Sequence, residues 1–388
     1  MAKTPEPSSK MTSLLTDLQK KFGDNVVKRG SEVVLGPPIS SGSLHLDFAT
    51  GYGGFPSNRV VEIYGREGTG KTTLALLCML NALNANPNRN ALFIDMEHKI
   101  TPEWLEMIVG RDVVENRLLY VSAKTIEHAT NIYRTAVDSG LICCAILDSI
   151  GGAPTIRRND DAETALVGGN AIGVGHFAQT AATYSDTMEC LTIGINQVMS
   201  TIGKMSYNDD TPGGHKWKHA CVLRVELLRG KENEYIRLPG EDHPVPIGYL
   251  IHAKVRKNQV GAPGRVARYW FYNRWTEERG WGVDQLDEIN RLSIATSVIE
   301  QRGGWYYHAA FPADNKGERK IQGADRMRAA VRNDPGLQAT IVSEVMACLK
   351  DSGKLSQIAP LSDPDAPILP EENSGVTFIT PSGEPTHA

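Results

Sequence analysis

Eight consecutive residues, Gly65-Arg66-Glu67-Gly68-Thr69-Gly70-Lys71-Thr72, restrict what this chain can fold into more than any other feature. They fit the pattern G-x-x-x-x-G-K-[ST], between strand formers (Val60-Val61-Glu62-Ile63-Tyr64) and a helix-forming run from Leu74 to Leu80. That setting gives the pattern physical meaning. Its glycines let the backbone curl until successive N–H groups face phosphate oxygens. The loop also feeds a helix N-terminus, where unpaired amides and the helix dipole favour an anion. Lys71 is expected to neutralise charge on the β- and γ-phosphates and Thr72 to ligate Mg²⁺, with Thr73 completing the nucleotide-binding set. A glycine-rich turn arising by chance would lack the two flanks.

Ala145-Ile146-Leu147-Asp148 is an apolar run ending in a carboxylate, the arrangement that holds a Mg²⁺ shell opposite a phosphate loop. The pattern is common, and its spacing after the loop gives it weight. A third apolar run, Phe93-Ile94-Asp95, leads into Met96-Glu97-His98. Glu97 there could orient the water that attacks a γ-phosphate or take its proton. It could equally be an acid at a helix N-terminus, and the pattern alone does not choose.

Strands and helices alternate from Val33 to about Trp275. Strands are expected at Val60–Tyr64, Ala91–Asp95, Leu118–Val121, Cys144–Asp148 and Leu191–Asn196, with helices at Thr72–Ala85 and Thr125–Ser139. This spacing implies crossover connections and a mainly parallel sheet covered on both faces, an α/β fold. Longer strands follow at Cys221–Leu228 and Gly248–Val255. Beyond Trp281 short helices are expected at Ile289–Arg302 and Asp325–Val331, with a strand at Trp305-Tyr306-Tyr307. Arg319, Lys320, Arg326, Arg328 and Arg332 make this part basic.

Ahead of the alternating region, Met11, Leu14, Leu15, Leu18 and Phe22 recur at helical steps, and Asn25-Val26-Val27-Lys28 suggests a strand. Such a helix and strand pack back on their own core or dock on a neighbouring subunit. The hydrophobic fraction of 41%, the charged fraction of 22% and a net charge of −4 are those of a soluble globular protein, not of a basic nucleic-acid coat. No run is apolar enough to span a bilayer, and MAKTPEPSSK carries no signal-peptide core, which points to the cytoplasm. The six cysteines include no C-x-x-C pair and read as reduced core residues.

Gly42-Ser43-Leu44-His45-Leu46-Asp47 and Gly53-Gly54-Phe55-Pro56-Ser57-Asn58-Arg59, running into the phosphate loop, resemble the RecA family of homologous recombinases. Phe93 to His98 is similar to the strand carrying that family's catalytic glutamate, and the resemblance chooses the catalytic role for Glu97. It also places Trp104 where an aromatic ring stacks on adenine, and Gln197 where a glutamine senses the γ-phosphate. Ile202, Gly203, Lys204, Met205, Gly213 and Gly214 correspond to the second DNA-binding loop, in which Ile202 wedges between bases. Lys218 and Arg224 match basic positions linked to it, and Arg157 and Arg158 fall loosely in the first DNA loop. Lys257 matches the first of two lysines reaching a neighbour's ATP site, whereas Gln259 replaces the second.

The resemblance implies ATP and Mg²⁺ as cofactors. As partners it implies single-stranded DNA, homologous double-stranded DNA and the chain's own copies in a helical filament. Residues 1–33 are expected to form an oligomerisation arm and 34–280 a RecA-like P-loop ATPase core, with DNA loops near 154–170 and 198–216. Residues 281–350 should form a small α+β domain contacting duplex DNA, and 351–388 a disordered tail. A ring-forming helicase, recognisable by closed rings and translocation, and a regulator without ATPase activity are the alternatives.

Overall fold

The computed structural model describes residues 9–22, 27, 29–30, 35–152, 154, 169–198, 211–236, 243–276, 280–351, 378–379 and 385–386. Helix α1 (Ser9–Phe22) leaves Met11, Leu14 and Phe22 each more than half exposed. The strand expected at Asn25–Lys28 falls outside the described residues apart from Val27, which lies in a bend. A small ribbon follows, strand β1 (Pro38–Ile39) pairing with β2 (Phe55–Pro56) around helix α2 (Leu44–Thr50). Ser43 caps α2 by accepting from the Leu46 amide, and Gly51, at φ 69°, ends it.

The core then runs through β3 (Val60–Gly65), α3 (Lys71–Ala85), β4 (Asn90–Asp95), α4 (Pro102–Val109), α5 (Arg111–Asn116) and β5 (Leu118–Ser122). It continues through α6 (Ile126–Asp138), β6 (Ile142–Asp148), α7 (Gly169–Thr187), β7 (Leu191–Gln197) and α8 (Gly214–Ala220). Three long strands, β8 (Cys221–Ile236), β9 (Val245–Asn258) and β10 (Val266–Thr276), and the short β11 (Gly280–Val283) complete it. All four join one nine-stranded sheet of order β11-β10-β9-β8-β3-β7-β6-β4-β5. From β8 to β5 neighbours are parallel, and from β8 to β11 they are antiparallel.

Strands buried along nearly their whole length, such as β3, β4 and β6, read as largely apolar runs because both faces are covered. One face packs on α3 and α4 through Leu74, Leu76, Met79, Leu105 and Ile108. The other packs on α6 and α7 through Ile126, Tyr133, Val174 and Phe177, with Trp217 of α8 fully buried among them. Five of the six cysteines are buried, and all are unbonded thiols.

A separate apolar cluster forms from α9 (Gln285–Ala295), the ribbon β12 (Glu300–Arg302), β13 (Trp305–Tyr307) and β14 (Lys320–Gln322), α10 (Ala324–Asn333) and α11 (Pro335–Asp351). Leu44 and Phe48 of α2 pack against it, and Glu288 of α9 joins it to the core. The Glu288 carboxylate accepts from Ser43 Oγ at 2.5 Å and from the amides of Leu44 at 2.9 Å and His45 at 3.2 Å. The helix expected over Ile289–Arg302 is corrected in two respects. It starts earlier, where Asp284 caps the Asp287 amide, and it stops at Ala295, after which Ser297 takes φ 58° and Glu300–Arg302 becomes a strand. Two short strands, β15 (Phe378–Ile379) and β16 (Pro385–Thr386), pair with each other; the rest of the stretch expected to be disordered lies outside the described residues beyond Asp351.

Candidate active site

Parallel register brings the sequence motifs to one edge of the sheet. Gly65 of β3 is paired with Gln197 of β7, and Asp95 of β4 with Asp148 of β6, so the loops that follow all open at the C-terminal ends of the strands. In open parallel sheets that crevice is where ligands bind. The phosphate loop leaves β3 with Gly68 at φ 75° and Gly70 at φ 78°. A Cβ on Gly70 would also come within 2.9 Å of the Phe271 ring. Glycine is therefore required there by conformation and by space.

Lys71 opens α3 and is nearly buried, its Nζ donating to the Arg66 carbonyl at 2.8 Å. Burial pulls its pKa down, and the charges of Asp148, Glu97 and Glu67 oppose that shift. Thr69 Oγ1 donates to the same carbonyl at 2.9 Å. Thr72 Oγ1 donates to Asp148 Oδ2 at 2.7 Å, which joins the two side chains expected to hold Mg²⁺. Burial pushes Asp148 up to about 6. A hydroxyl and a carboxylate side by side form a hard, all-oxygen donor pair, and they fit Mg²⁺ completed by phosphate oxygens and water.

Glu97 follows β4 on a turn fixed by Asp95. The Asp95 carboxylate accepts from the Glu97 amide at 2.8 Å, the His98 amide at 2.7 Å and the Tyr120 hydroxyl at 2.7 Å. His98 takes φ 56° in this turn, and its Nδ1 lies 2.6 Å from Ser122 Oγ. Glu97 Oε1 accepts from Ser149 Oγ at 2.6 Å and Gln197 Nε2 at 2.8 Å, while Oε2 pairs with Lys99 Nζ at 3.0 Å. Burial pushes the Glu97 carboxyl up, but these donors outweigh it and hold the pKa below its ordinary value. Ser149 follows Asp148 through a cis peptide bond. Trp104 sits half-buried on α4, its amide donating to Thr101 Oγ1 at 3.3 Å.

Behind Gln197 the strand end turns toward the second loop. Asn196 Nδ2 donates to Glu62 Oε1 at 2.8 Å and to the Pro212 carbonyl at 2.9 Å. Glu62 is fully buried and ion-paired with Arg224 Nε, and Arg224 Nη2 donates to Thr211 Oγ1 at 2.9 Å. The Arg224 guanidinium also lies over the Tyr64 ring, 4.9 Å from its centroid. The side chain expected to meet DNA is therefore engaged inside the protein, at the base of the loop. Gly213, at φ 102°, and Gly214, at φ 73°, begin α8.

Lys257 Nζ donates to the carbonyls of Lys218 at 2.9 Å and His219 at 3.1 Å, capping the C-terminal end of α8. Gln259 is exposed, its amide donating to the Val222 carbonyl at 2.9 Å. Arg157, Arg158, Ile202, Gly203, Lys204 and Met205 lie outside the described residues.

Sequence reading missed Asp95, Ser149, Lys99, Asn196 and Glu62. Asp95 and Lys99 flank Glu97 closely enough to have been suspected. Glu62 looked like one more strand residue, and its charge inside an otherwise apolar run was the available signal.

Residues 9–273 match the RecA N-terminal domain. The chain is 30% identical to Protein RecA of Rhodospirillum centenum over 369 residues, 94% of this chain and 96% of that one. It is 29% identical to Protein RecA of Azospirillum lipoferum, over 86% of this chain and 88% of the relative. Against Protein RecA of Heliobacterium modesticaldum it is 29% identical, over 89% and 94%. With the phosphate loop, the Mg²⁺ pair and Glu97 gathered at one sheet edge, this agreement along nearly the whole chain has one reading: the protein belongs to the RecA family of ATP-dependent DNA recombinases.

Proposed function

We propose that the chain binds ATP on the loop Gly65–Thr72, hydrolyses it with Glu97 as the water-activating base, and uses the cycle to grip and release single-stranded DNA during homologous pairing. The observation that carries this reading is that Gln197, with Asn196 beside it, links the ATP site to the second loop. Its side chain donates to Glu97, and the adjacent Asn196 holds the Pro212 carbonyl where the second loop re-enters the fold. A change in what Glu97 contacts therefore has a short mechanical route to the DNA loop.

Loop amides and Lys71 hold the phosphates and stabilise charge as it develops on the transferring group. Thr72 and Asp148 are the ligands for Mg²⁺, which when bound supplies charge neutralisation at the phosphates. Glu97, fixed by the Asp95 turn, orients water and takes its proton at the carboxylate, and Trp104 offers a flat face for adenine. Lys218, Gly213 and Gly214, with Arg157, Arg158 and Ile202 to Met205, line the DNA path, and Lys257 would leave the Lys218 and His219 carbonyls to serve a neighbouring subunit. Arg224 supports that path from inside.

The arm over 1–33, with its exposed Met11, Leu14 and Phe22, docks on a neighbour. The unit over 281–350 contacts duplex DNA, where Lys320 lies over Trp305 and Arg302 over Tyr307. Among the described residues no helix is long and apolar enough to cross a membrane, in keeping with work in the cytoplasm.

The test is strand exchange between single-stranded and homologous duplex DNA with purified protein, ATP and Mg²⁺, alongside electron microscopy. ATP-dependent joint molecules on helical filaments are expected. Closed rings that translocate without pairing homologous strands would overturn the reading.

A further inference from the structure

Lys99 is the charged group of the ATP site that no part of the expected machinery uses. Its Nζ lies 3.0 Å from Glu97 Oε2, and its side chain is 66% exposed. An exposed pair two residues apart is ordinarily worth almost nothing, and such residues rarely meet unless the backbone turns between them. Here the turn is imposed. Asp95 holds the amides of both Glu97 and His98, and His98 sits at φ 56°. On the far side, Ile100 packs on the core and Thr101 caps α4. The backbone of Lys99 is thus fixed at both ends, while its side chain is largely exposed to solvent and holds its ammonium at Glu97. The carboxylates of Asp148, Glu97 and Glu67 and the ammonium of Lys99 all act on Lys71. A triphosphate entering beside these three carboxylates carries more negative charge than one lysine balances.

We propose that Lys99 is a second cation for the triphosphate, supplied from within the chain and held ready by Glu97. The proposal rests on the reading of the phosphate loop and of Glu97 given above. An anionic phosphate oxygen competes with Glu97 for the ammonium, and charge-assisted bonds of this kind are the stronger class. Once drawn to phosphate, Lys99 leaves Oε2 of Glu97 available to water.

The test separates a phosphate contact from a mere tether. Equilibrium binding of a fluorescent ATP analogue, and of its ADP counterpart, is measured in Glu97→Gln with and without Lys99→Met. In Glu97→Gln the carboxylate is gone, so a lysine acting only through Glu97 has nothing left to do. The expected result is that Lys99→Met weakens ATP binding about tenfold in this background. ADP binding should change much less, Lys99→Arg should restore affinity, and thermal midpoints should agree. Equal ATP affinity with and without Lys99 would overturn the proposal. If Glu97→Gln itself hydrolyses ATP at the wild-type rate, the reading of Glu97 fails separately. The Lys99 comparison is then made with the slowly hydrolysed thiotriphosphate analogue in the otherwise unchanged protein, with the same two outcomes.

Discussion

Replacing Arg224 is expected to damage the fold before it damages DNA binding. The carboxylate of Glu62 is 0% exposed and Arg224 is 15% exposed, so this ion pair is shielded from solvent. In Arg224→Ala, Asn196 Nδ2, at 2.8 Å, still donates to Glu62, and the Thr211 contact and the stacking on Tyr64 go. Breaking a buried pair from one side costs about 3–5 kcal/mol, because a charge stays behind in a poorly polarisable site. That is a large part of the roughly 5–15 kcal/mol separating most folded proteins from their unfolded chains. With a urea m-value of about 3 kcal/mol/M, the unfolding midpoint should fall by roughly 1–1.7 M. The neutral pair Glu62→Gln with Arg224→Met should recover most of the loss, since replacing both ions by groups of similar volume is often tolerated. Urea unfolding followed by tryptophan fluorescence, with ATP absent, reads all of these proteins. An unchanged midpoint for Arg224→Ala together with much weaker DNA binding would refute the argument and return Arg224 to the DNA surface.

Glu97→Gln should keep ATP and DNA binding while slowing hydrolysis by about 10²–10⁴-fold, the usual contribution of a positioned base; single-turnover hydrolysis on single-stranded DNA checks it. Stability should decline as pH rises from about 4.5 toward 8. Burial pushes Glu288 up from 4.5 to about 8 and Asp47 up to about 6, so the folded chain keeps protons that the unfolded chain has already released. Glu288→Gln, which does not titrate, should flatten this slope in thermal melts, and parallel curves for the two proteins would count against it. Gly194→Ala should destabilise by about 1–3 kcal/mol through overpacking, since the new Cβ would lie 2.2 Å from the Trp217 ring; a melting temperature equal to wild type would show that Trp217 can shift.

Sequence revealed the parts of the fold whose cause is local. Strands β3, β4, β6 and β7 are mostly apolar runs, and α6 carries its own start signal in Thr125, whose side chain accepts from the His128 amide. Where a local signal has two meanings, the reading slipped. No helix is expected after Val331, yet Asp334 Oδ1 accepts from the Leu337 amide and Pro335 opens α11. Proline at a helix start surrenders only an amide that would have been unpaired anyway. Leu337, Ile341 and Val345, four residues apart on the buried face of α11, were the available signal for it.

In the site, the same division falls between groups that act on nucleotide and groups that hold those groups in place. The residues proposed for phosphate chemistry stand in recognisable contexts, Lys71 and Thr72 at the start of α3 and Glu97, Asp148 and Gln197 at or just beyond strand ends, because that chemistry prescribes both the residue type and its place beside the sheet. Nothing prescribes their supports so tightly. Glu62 and Arg224 are 162 residues apart in the chain and Glu97 and Gln197 are 100 apart, and only the parallel register makes either pair neighbours. Register also explains why Asn196 and Gln197 divide their labour. Successive side chains of a strand point to opposite faces, so one turns to Glu62 and the loop at Pro212 while the next turns to Glu97. A one-residue slip of β7 against β3 would exchange these faces and separate both contacts at once. The proposed link between ATP chemistry and DNA grip thus depends on the packing that fixes β7, Trp217 lying flush against Gly194 included, as much as on the residues that would touch either ligand.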